Sequence, residues 1–425
     1  MKLSSIIPMI LFTSISVIIC PSFSSAEYQI EITPSISVSE LYDDNIYLDN
    51  TNEKSDYITS ISPGINLHFF SQRDDLTIQY IPSIVRYHHE TGNNTVRHSA
   101  SLGLKSDLTQ HLRMELNDSY LRSEDPLEIT EGIDSVRRDR NIYQRNNANV
   151  KLIYNFGQQN IFSLGYKHSL LENDDITIDD GKIFDPFADL TYWFNQKNGL
   201  ELNIGYTKAE FTRDDNTKAG DDYSGNSLRP RYLHRFNPHT MCYVGIEQTK
   251  RYFEGESEDY KVFQGFSGVE HAFSDTLSLT LEAGYFKQKN EISDDFDGYT
   301  YDVSLKKRYD RGSFSIGGTG GWHEAYLDAE RKGFSRYWSV NSQLEFQITE
   351  SLVNYAKGSY TLDRDSNSHE WEILRASYGL RWSFLRWYTL SLEYSCAARD
   401  DDLNSDDYNV NRVMMIISAA KPYRW

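Results

Sequence analysis

Nine short polar turns recur along this chain, centred near Arg73, Leu108, Gln158, Gln196, Pro238, Asp275, Arg311, Thr349 and Leu385, at intervals of 35 to 50 residues. After most of them comes a row of alternating apolar residues that closes on a tyrosine. In the row Leu277, Leu279, Leu281, Ala283, Tyr285 the skipped positions are Ser278, Thr280, Glu282 and Gly284. The pattern returns at Phe162, Leu164, Tyr166, at Leu200, Leu202, Ile204, Tyr206, at Leu112, Met114, Leu116, Tyr120, and at Tyr388, Leu390, Leu392, Tyr394. A side-chain period of two places the apolar residues on one face of a strand and the polar ones on the other. The repeating unit is a β-hairpin, and the chain is constrained to an all-β fold.

Alternation alone does not say whether water or lipid lies outside the sheet; the flanks do. Lys2 precedes an apolar run from Ile6 to Ile19, followed by Pro21, Ser24, Ser25 and Ala26, the pattern of a secretory signal peptide spanning residues 1–26. Later segments fall short of the roughly 18 apolar residues that a spanning helix needs, which leaves a closed antiparallel barrel as the way to cross a membrane. At the far end Val413, Met415, Ile417, Ala419, Tyr423 and Trp425 share one parity, broken by Lys421. A last strand ending on an aromatic residue resembles the terminal assembly signal of bacterial outer-membrane barrels. The expected fold is a transmembrane antiparallel up-and-down β-barrel over residues 27–425, with about 20 strands, an even number so that both termini are periplasmic.

Composition agrees. Aromatic residues make up 14% of the chain, with 30 Tyr, while the hydrophobic fraction is only 39% and the mean hydropathy −0.60. A barrel with one lipid-facing half, aromatic girdles and a wet interior needs this mixture. No composition break or Pro/Gly/Ser linker marks a second domain. Cys20 falls in the signal peptide and lacks the small residue expected before a lipidated cysteine. Cys242 and Cys396 lie far apart in sequence and read as small lipid-facing side chains, so no disulfide is implied.

The nine turns are short and the opposite connections are longer and acidic, which assigns the turns to the periplasm and the loops to the outside. The first strand rises over about Tyr28 to Tyr42 and the second descends over about Tyr57 to Phe69. Acidic residues cluster in the loops: Asp43, Asp44, Asp49, Asp56; Asp174, Asp175, Asp179, Asp180; Asp400, Asp401, Asp402, Asp406, Asp407. Much of the net charge of −19 sits there. None has the spacing of a calcium loop, so they read as solvated loops and no metal site is assigned. The longest loop, from about Arg122 to Asn141, carries mixed charge and is compatible with folding inward. Pro34, Pro63, Pro82, Pro186 and Pro230 fall inside predicted strands, where each removes a ladder donor; they read as bulges, strand ends, or signs that the strands are shorter.

On the face opposite the apolar rows the rising strands carry Glu115, Glu201, Glu247, Glu282 and Glu393. The descending strands carry Lys105, Lys151, Arg229, Arg231, Arg235, Lys306, Arg308, Arg375 and Arg381. Glu247 is expected opposite Arg229, and Glu393 diagonal to Arg375. Two readings stand: a ladder of cross-strand pairs that satisfies charge inside the barrel, each pair contributing about 0.2–1 kcal/mol, or a charged constriction that selects solutes, with Arg229, Arg231, Arg235, Glu247, Glu282, Arg375, Arg381 and Glu393 as its candidates. Tyr120, Tyr166, Tyr206, Tyr285, Tyr360 and Tyr394 are expected to form the outer aromatic girdle. No separate plug is expected before the first strand, so porin-like passage follows unless loops or a partner fill the lumen.

Chemistry leaves little trace. The string Gly265, Phe266, Ser267, Gly268, Val269 lacks the second glycine of a nucleophile elbow; no zinc-ligand pattern occurs, and His88, His89 and Glu90 read as exposed rim residues. No catalytic residue and no cofactor is assigned. The acidic balance and the lack of a basic stripe argue against nucleic acid.

The segment Ser37-Val38-Ser39-Glu40-Leu41-Tyr42-Asp43-Asp44-Asn45-Ile46-Tyr47, followed by Ser55-Asp56-Tyr57 and Ser62-Pro63-Gly64-Ile65, resembles the opening of the putative β-barrel porin 2 family. The resemblance implies a bacterial outer-membrane protein of the kind often encoded with exopolysaccharide and exosortase systems. It further implies, as partners, outer-membrane lipid, the barrel assembly machinery, and polysaccharide or its export components. The functional expectation is a passive porin-like channel, serving exopolysaccharide export or surface assembly. A closed scaffold barrel is the alternative, and an outer-membrane hydrolase a third reading that needs a Ser/His or Asp/His set at the outer rim.

Overall fold

A computed structural model of the chain describes residues 28–126, 140–212, 222–255, 257–325, 333–365, 368–402 and 406–425. The expected signal peptide lies outside the described residues. Twenty strands of 12 to 15 residues, or 13 to 15 for most, follow one another in chain order. The first five are β1 (Gln29–Asp43), β2 (Asp56–Phe70), β3 (Asp74–Tyr87), β4 (Thr95–Asp107) and β5 (Leu112–Ser123). Next come β6 (Tyr143–Phe156), β7 (Asn160–Asn173), β8 (Asp180–Trp193), β9 (Asn198–Thr212) and β10 (Tyr223–Asn237). The second half begins with β11 (Thr240–Phe253), β12 (Tyr260–Ser274), β13 (Leu277–Asn290), β14 (Phe296–Tyr309) and β15 (Gly312–Ala325). It ends with β16 (Gly333–Gln347), β17 (Leu352–Asp365), β18 (Glu370–Phe384), β19 (Tyr388–Asp401) and β20 (Tyr408–Ala420).

Each strand pairs antiparallel with the next, and β20 pairs with β1 from Ser35↔Ala420 to Asp43↔Arg412, which closes the ring. Past the break at Lys421 and Pro422 the two-residue β21 (Tyr423–Arg424) continues the last strand along β1, and Ile30 and Trp425 exchange both backbone hydrogen bonds at 3.1 and 2.9 Å. The fold is a closed 20-strand antiparallel barrel.

The predicted turns all fall between strands at one end of this ring. Gly157 supplies the left-handed backbone, at φ +70°, that the turn before β7 needs. Strands of this length exceed the roughly 9–11 residues that cross a bilayer, and the outward face divides accordingly. Leu200, Leu202, Ile204 and Tyr206 on β9 give way to Lys208 and Glu210, and the β13 row ends at Tyr285 before Lys287 and Lys289. The apolar band therefore covers the turn-side part of the wall, and the strands project beyond it on the loop side.

The five prolines require a correction. Each lies well inside its strand and on the outward face, with no bulge and no strand end. Pro63 sits across from Pro82, and the β2–β3 ladder skips the three pairs between Ile61↔Ile84 and Ile65↔Tyr80 without changing register. Similar gaps occur on one side of Pro186 and of Pro230. The missing N–H deletes local bonds, while the pairing on either side of the gap holds the register.

Candidate functional site

Because pairing carries parity from strand to strand, inward positions can be followed around the ring, and Asp43 on β1 meets Arg412 on β20 as an inward pair at the seam. Four arginines climb one inner wall: Arg235, Arg231 and Arg229 on β10, then Arg251 on β11. Each guanidinium lies over an aromatic ring, at 4.1 Å from Trp193, 4.6 Å from Tyr243, 4.4 Å from Phe266 and 5.7 Å from Tyr223. Carboxylates hold three of them. Arg231 Nε donates to Glu201 at 2.7 Å, Arg229 donates to Glu282 at 3.1 Å and lies 3.6 Å from Glu247, and Arg251 donates to Glu324 at 2.7 Å. Arg235, nearest the short turns, donates to Gln159 Oε1 at 3.1 Å.

The rings lie flat because glycine faces them. Tyr243 pairs with Gly268 and Phe266 with Gly245 across β11–β12; Phe187 pairs with Gly165 and Tyr355 with Gly379 on other strands. A Cβ on any of these glycines would run into the facing ring. Each ring covers its glycine with one face, and on Tyr243 and Phe266 an arginine covers the other, which leaves both rings buried. Across the barrel Arg381 stands 5.6 Å over Tyr355, whose hydroxyl donates to Glu393 at 2.7 Å. Lys105, Glu115 and Lys151 form a direct cross-strand row, and Lys151 reaches Asp189 at 3.0 Å.

Toward the loop end the interior is filled by side chains. The segment after β1 turns inward and buries Ile46 against Ile58, Val85 and Tyr87, and Leu48 against Ile373, Tyr408 and Val410. Beside it lies a buried network. Asp43 meets Arg412 at 2.8 Å and Arg140 at 3.4 Å; Asp125 meets Arg412 at 3.2 Å; Glu124 meets Arg97 at 2.6 Å and accepts the Tyr87 hydroxyl at 2.7 Å. Arg140 also donates to the Ile46 carbonyl at 2.7 Å. The described ends of the longest loop thus point inward, as its mixed charge allows.

A second intrusion comes from the wall itself. The β14–β15 ladder stops at Tyr301↔Gly320, and Gly321 turns the chain at φ +155°, while β15 and β16 stay paired with each other to Ala325↔Gly333. Beyond Gly321 this hairpin lies over the inner face of β12, β13 and β14. Phe334 packs on Phe286 at 6.0 Å, Tyr260 at 5.8 Å and Trp322 at 5.4 Å between ring centres. Trp322 Nε1 donates to Gln264 at 3.1 Å, and Glu324 accepts from Tyr260 at 2.6 Å and from Arg251. Arg336 stands 4.4 Å over Phe296.

A serine and a histidine of this hairpin meet a carboxylate of β17. Ser335 Oγ is 2.7 Å and Asp363 Oδ1 3.3 Å from His323. Both approach Nε2, so this carboxylate does not orient the ring from the nitrogen opposite the serine, as the hydrolytic triad requires. Ser335 is also buried. Among the described residues no group of acidic, histidine and cysteine side chains could hold a metal ion.

The eight candidate lumen residues, Arg229, Arg231, Arg235, Glu247, Glu282, Arg375, Arg381 and Glu393, all fall at inward register positions. One pairing differs from expectation: Ala397 stands opposite Arg375 and Ser391 opposite Arg381, so Glu393 is diagonal to Arg381. The six girdle tyrosines fall at outward positions. Tyr120, Tyr206, Tyr285 and Tyr360 are ninth in their strands and Tyr166 and Tyr394 seventh. The Tyr120 and Tyr394 hydroxyls donate to Gln144 and Asn411, each at 2.8 Å. Cys242 and Cys396 are free thiols.

The acidic loops are a correction, since Asp43, Asp56 and Asp401 are buried, not solvated. Many of the others bind backbone. Asp180 takes the Asn173 N–H at 2.7 Å, Asp222 that of Phe211 at 2.7 Å, Asp259 that of Phe253 at 2.8 Å and Asp407 that of Asp401 at 2.8 Å. Sequence reasoning also missed the inner aromatic rings and the ion network around Asp43. Arg97 and Arg412 carried a signal, being polar positions of the right parity.

A closed ring with an apolar outward band and a charged inner wall has relatives among known proteins. Residues 31–158 match the putative beta-barrel porin 2 family. With that match the protein reads as a porin-like barrel of the bacterial outer membrane. Among solved structures it is similar to a mutant of the ferric enterobactin receptor PfeA of Pseudomonas aeruginosa, at 9% identity and TM-score 0.52 over 92% of this chain and 80% of that one. It is also similar to OccAB3 of Acinetobacter baumannii, at 8% identity and TM-score 0.41 over 93% of this chain and 100% of that one. At such identities the likeness is one of fold alone. No curated protein matches the chain.

Proposed function

We propose that the barrel is a passive conduit for a carbohydrate chain, held shut near its outer end by its own loops and by the β15–β16 hairpin. The observation that carries this reading is the inner wall of β8 to β12, where flat aromatic rings alternate with arginines and carboxylates. Guanidinium and carboxylate groups held in place by these rings exchange hydrogen bonds with sugar hydroxyls without fixing one position. A track of repeated weak contacts suits a polymer that must slide. The resemblance to a family associated with exopolysaccharide systems supports the same reading.

The test is a planar-bilayer recording of the full chain with its hairpin locked in the wall, as described below, and with neutral oligosaccharides added to one side. The expected result is a current that the oligosaccharide blocks, with the block weakened about tenfold when Arg229, Arg231 and Arg235 are replaced together by Gln, as loss of a few polar contacts implies. A current that oligosaccharides leave unchanged overturns the carbohydrate assignment. The filled outer end favours a second reading, a scaffold barrel. Silence of both the parent protein and a variant with its hairpin locked outward, described below, would select it.

A further inference from the structure

On the outward face, just past the apolar band, three lysines stand side by side on consecutive strands. Lys250 of β11 is directly opposite Lys261 of β12, and Lys261 is directly opposite Lys289 of β13. Adjacent strands lie about 4.8 Å apart, so three ammonium stems leave the wall within about 10 Å. None of the three forms a salt bridge among the described residues. Nearby carboxylates are engaged elsewhere: Asp295 with Lys287 at 2.8 Å, Asp259 with the Phe253 N–H, and Glu258 with the N–H groups of Ile292 and Ser293 at 2.7 and 2.9 Å. At other outward positions opposite signs meet, as at Lys182↔Glu210 and Arg364↔Glu370, although Arg364 also faces Arg336 on β16. Like charges directly opposite one another destabilise a sheet, and Asp295, which Lys287 holds, offsets only part of that cost at Lys289.

Height identifies the missing anion. The next outward row down is Gln248, Phe263 and Lys287, and the row beneath it brings Ile246 and Tyr285, the upper edge of the lipid-facing band. The lysines therefore stand where the headgroups of the outer leaflet begin. We propose that Lys250, Lys261 and Lys289 form a binding site for the phosphate groups of a glycolipid in that leaflet. The occupant is a lipid, because Phe263 and Tyr285 continue the site downward as a surface for acyl chains. Positive side chains at a membrane surface contribute about 1 kcal/mol each toward anionic lipid. The inference is independent of what passes through the lumen.

The experiment is native mass spectrometry of the full chain in neutral detergent, titrated with bis-phosphorylated lipid A, its dephosphorylated counterpart, or inorganic phosphate. The parent is expected to retain one lipid A. The K250Q/K261Q/K289Q variant is expected to bind at least about tenfold more weakly, and a variant with Arg at the three positions to bind as the parent does. The single K261Q variant, which removes the middle charge, serves if the triple variant fails to form a barrel, and it too is expected to bind more weakly. Equal binding by parent and Gln variants, or equal binding of the dephosphorylated lipid, overturns the site. Displacement of the lipid by millimolar inorganic phosphate overturns the lipid assignment in favour of a simple anion site.

Discussion

At the residue scale the informative pairs are glycine with an aromatic ring. Gly268 and Tyr243 face each other on the inner wall, and a methyl group at Gly268 would meet both the ring of Tyr243 and the Leu281 carbonyl, the latter at 2.7 Å. The ring must then lift from the wall and abandon Arg231. Gly268→Ala is expected to destabilise the barrel by about 1–3 kcal/mol, read as a lower unfolding midpoint in urea, whereas Gly265→Ala on the same strand, where a Cβ meets nothing within 4 Å, should leave it unchanged. Alternation in the sequence told which residues face inward, because parity depends only on spacing. It did not tell that rings lie flat, because that depends on which residue the register puts opposite. The slip at Glu393 has the same origin, since its partner depends on where the three-residue turn at Leu385 begins the ladder.

At the element scale the outer loops were read by composition, and composition misled. Acidic residues suggested solvated loops, but several of their carboxylates close the hairpins by accepting an N–H at the end of the strand before the loop. Asn94 does the same for Tyr87 at 2.7 Å without a charge, so the role belongs to the side-chain oxygen. Asp180→Ala is expected to cost about 1–3 kcal/mol locally and to speed hydrogen exchange at the Asn173 amide, while Asp180→Asn should preserve most of the protection. Inward folding of the loop after β1 left a fainter trace. Ile46 and Leu48 are apolar residues among Asp and Asn, and both are buried completely or nearly so, at 0% and 2% exposure.

For the whole molecule, strand number, direction and closure were legible in the turn spacing, because an antiparallel ring adds one hairpin at a time and repeats its chemistry at each. The intrusion of β15 and β16 was not, since Trp322 and Phe334 continue an ordinary strand pattern and only Gly321 and Gly333, at φ +155° and +135°, depart from it. If the β14–β15 register continued past Gly320, Gly298 would stand opposite His323. A disulfide between cysteines placed at these two positions should therefore hold the hairpin in the wall. The doubly substituted protein, Gly298→Cys with His323→Cys, is expected to pass more current when oxidised than when reduced. No difference between the two states would mean that the hairpin stays inside.

The unfinished ladder between β14 and β15 makes the barrier and the wall one object. From Phe296 to Thr300 the edge of β14 that faces β15 pairs with no strand among the described residues, and the residues that would fill that place are those that occupy the interior. Moving the hairpin outward exchanges buried aromatic surface for backbone hydrogen bonds, two terms of opposite sign and comparable size. Clearing the lumen and mending the side of the cylinder are then a single displacement, as in a valve whose flap, when open, is the missing plank of the pipe.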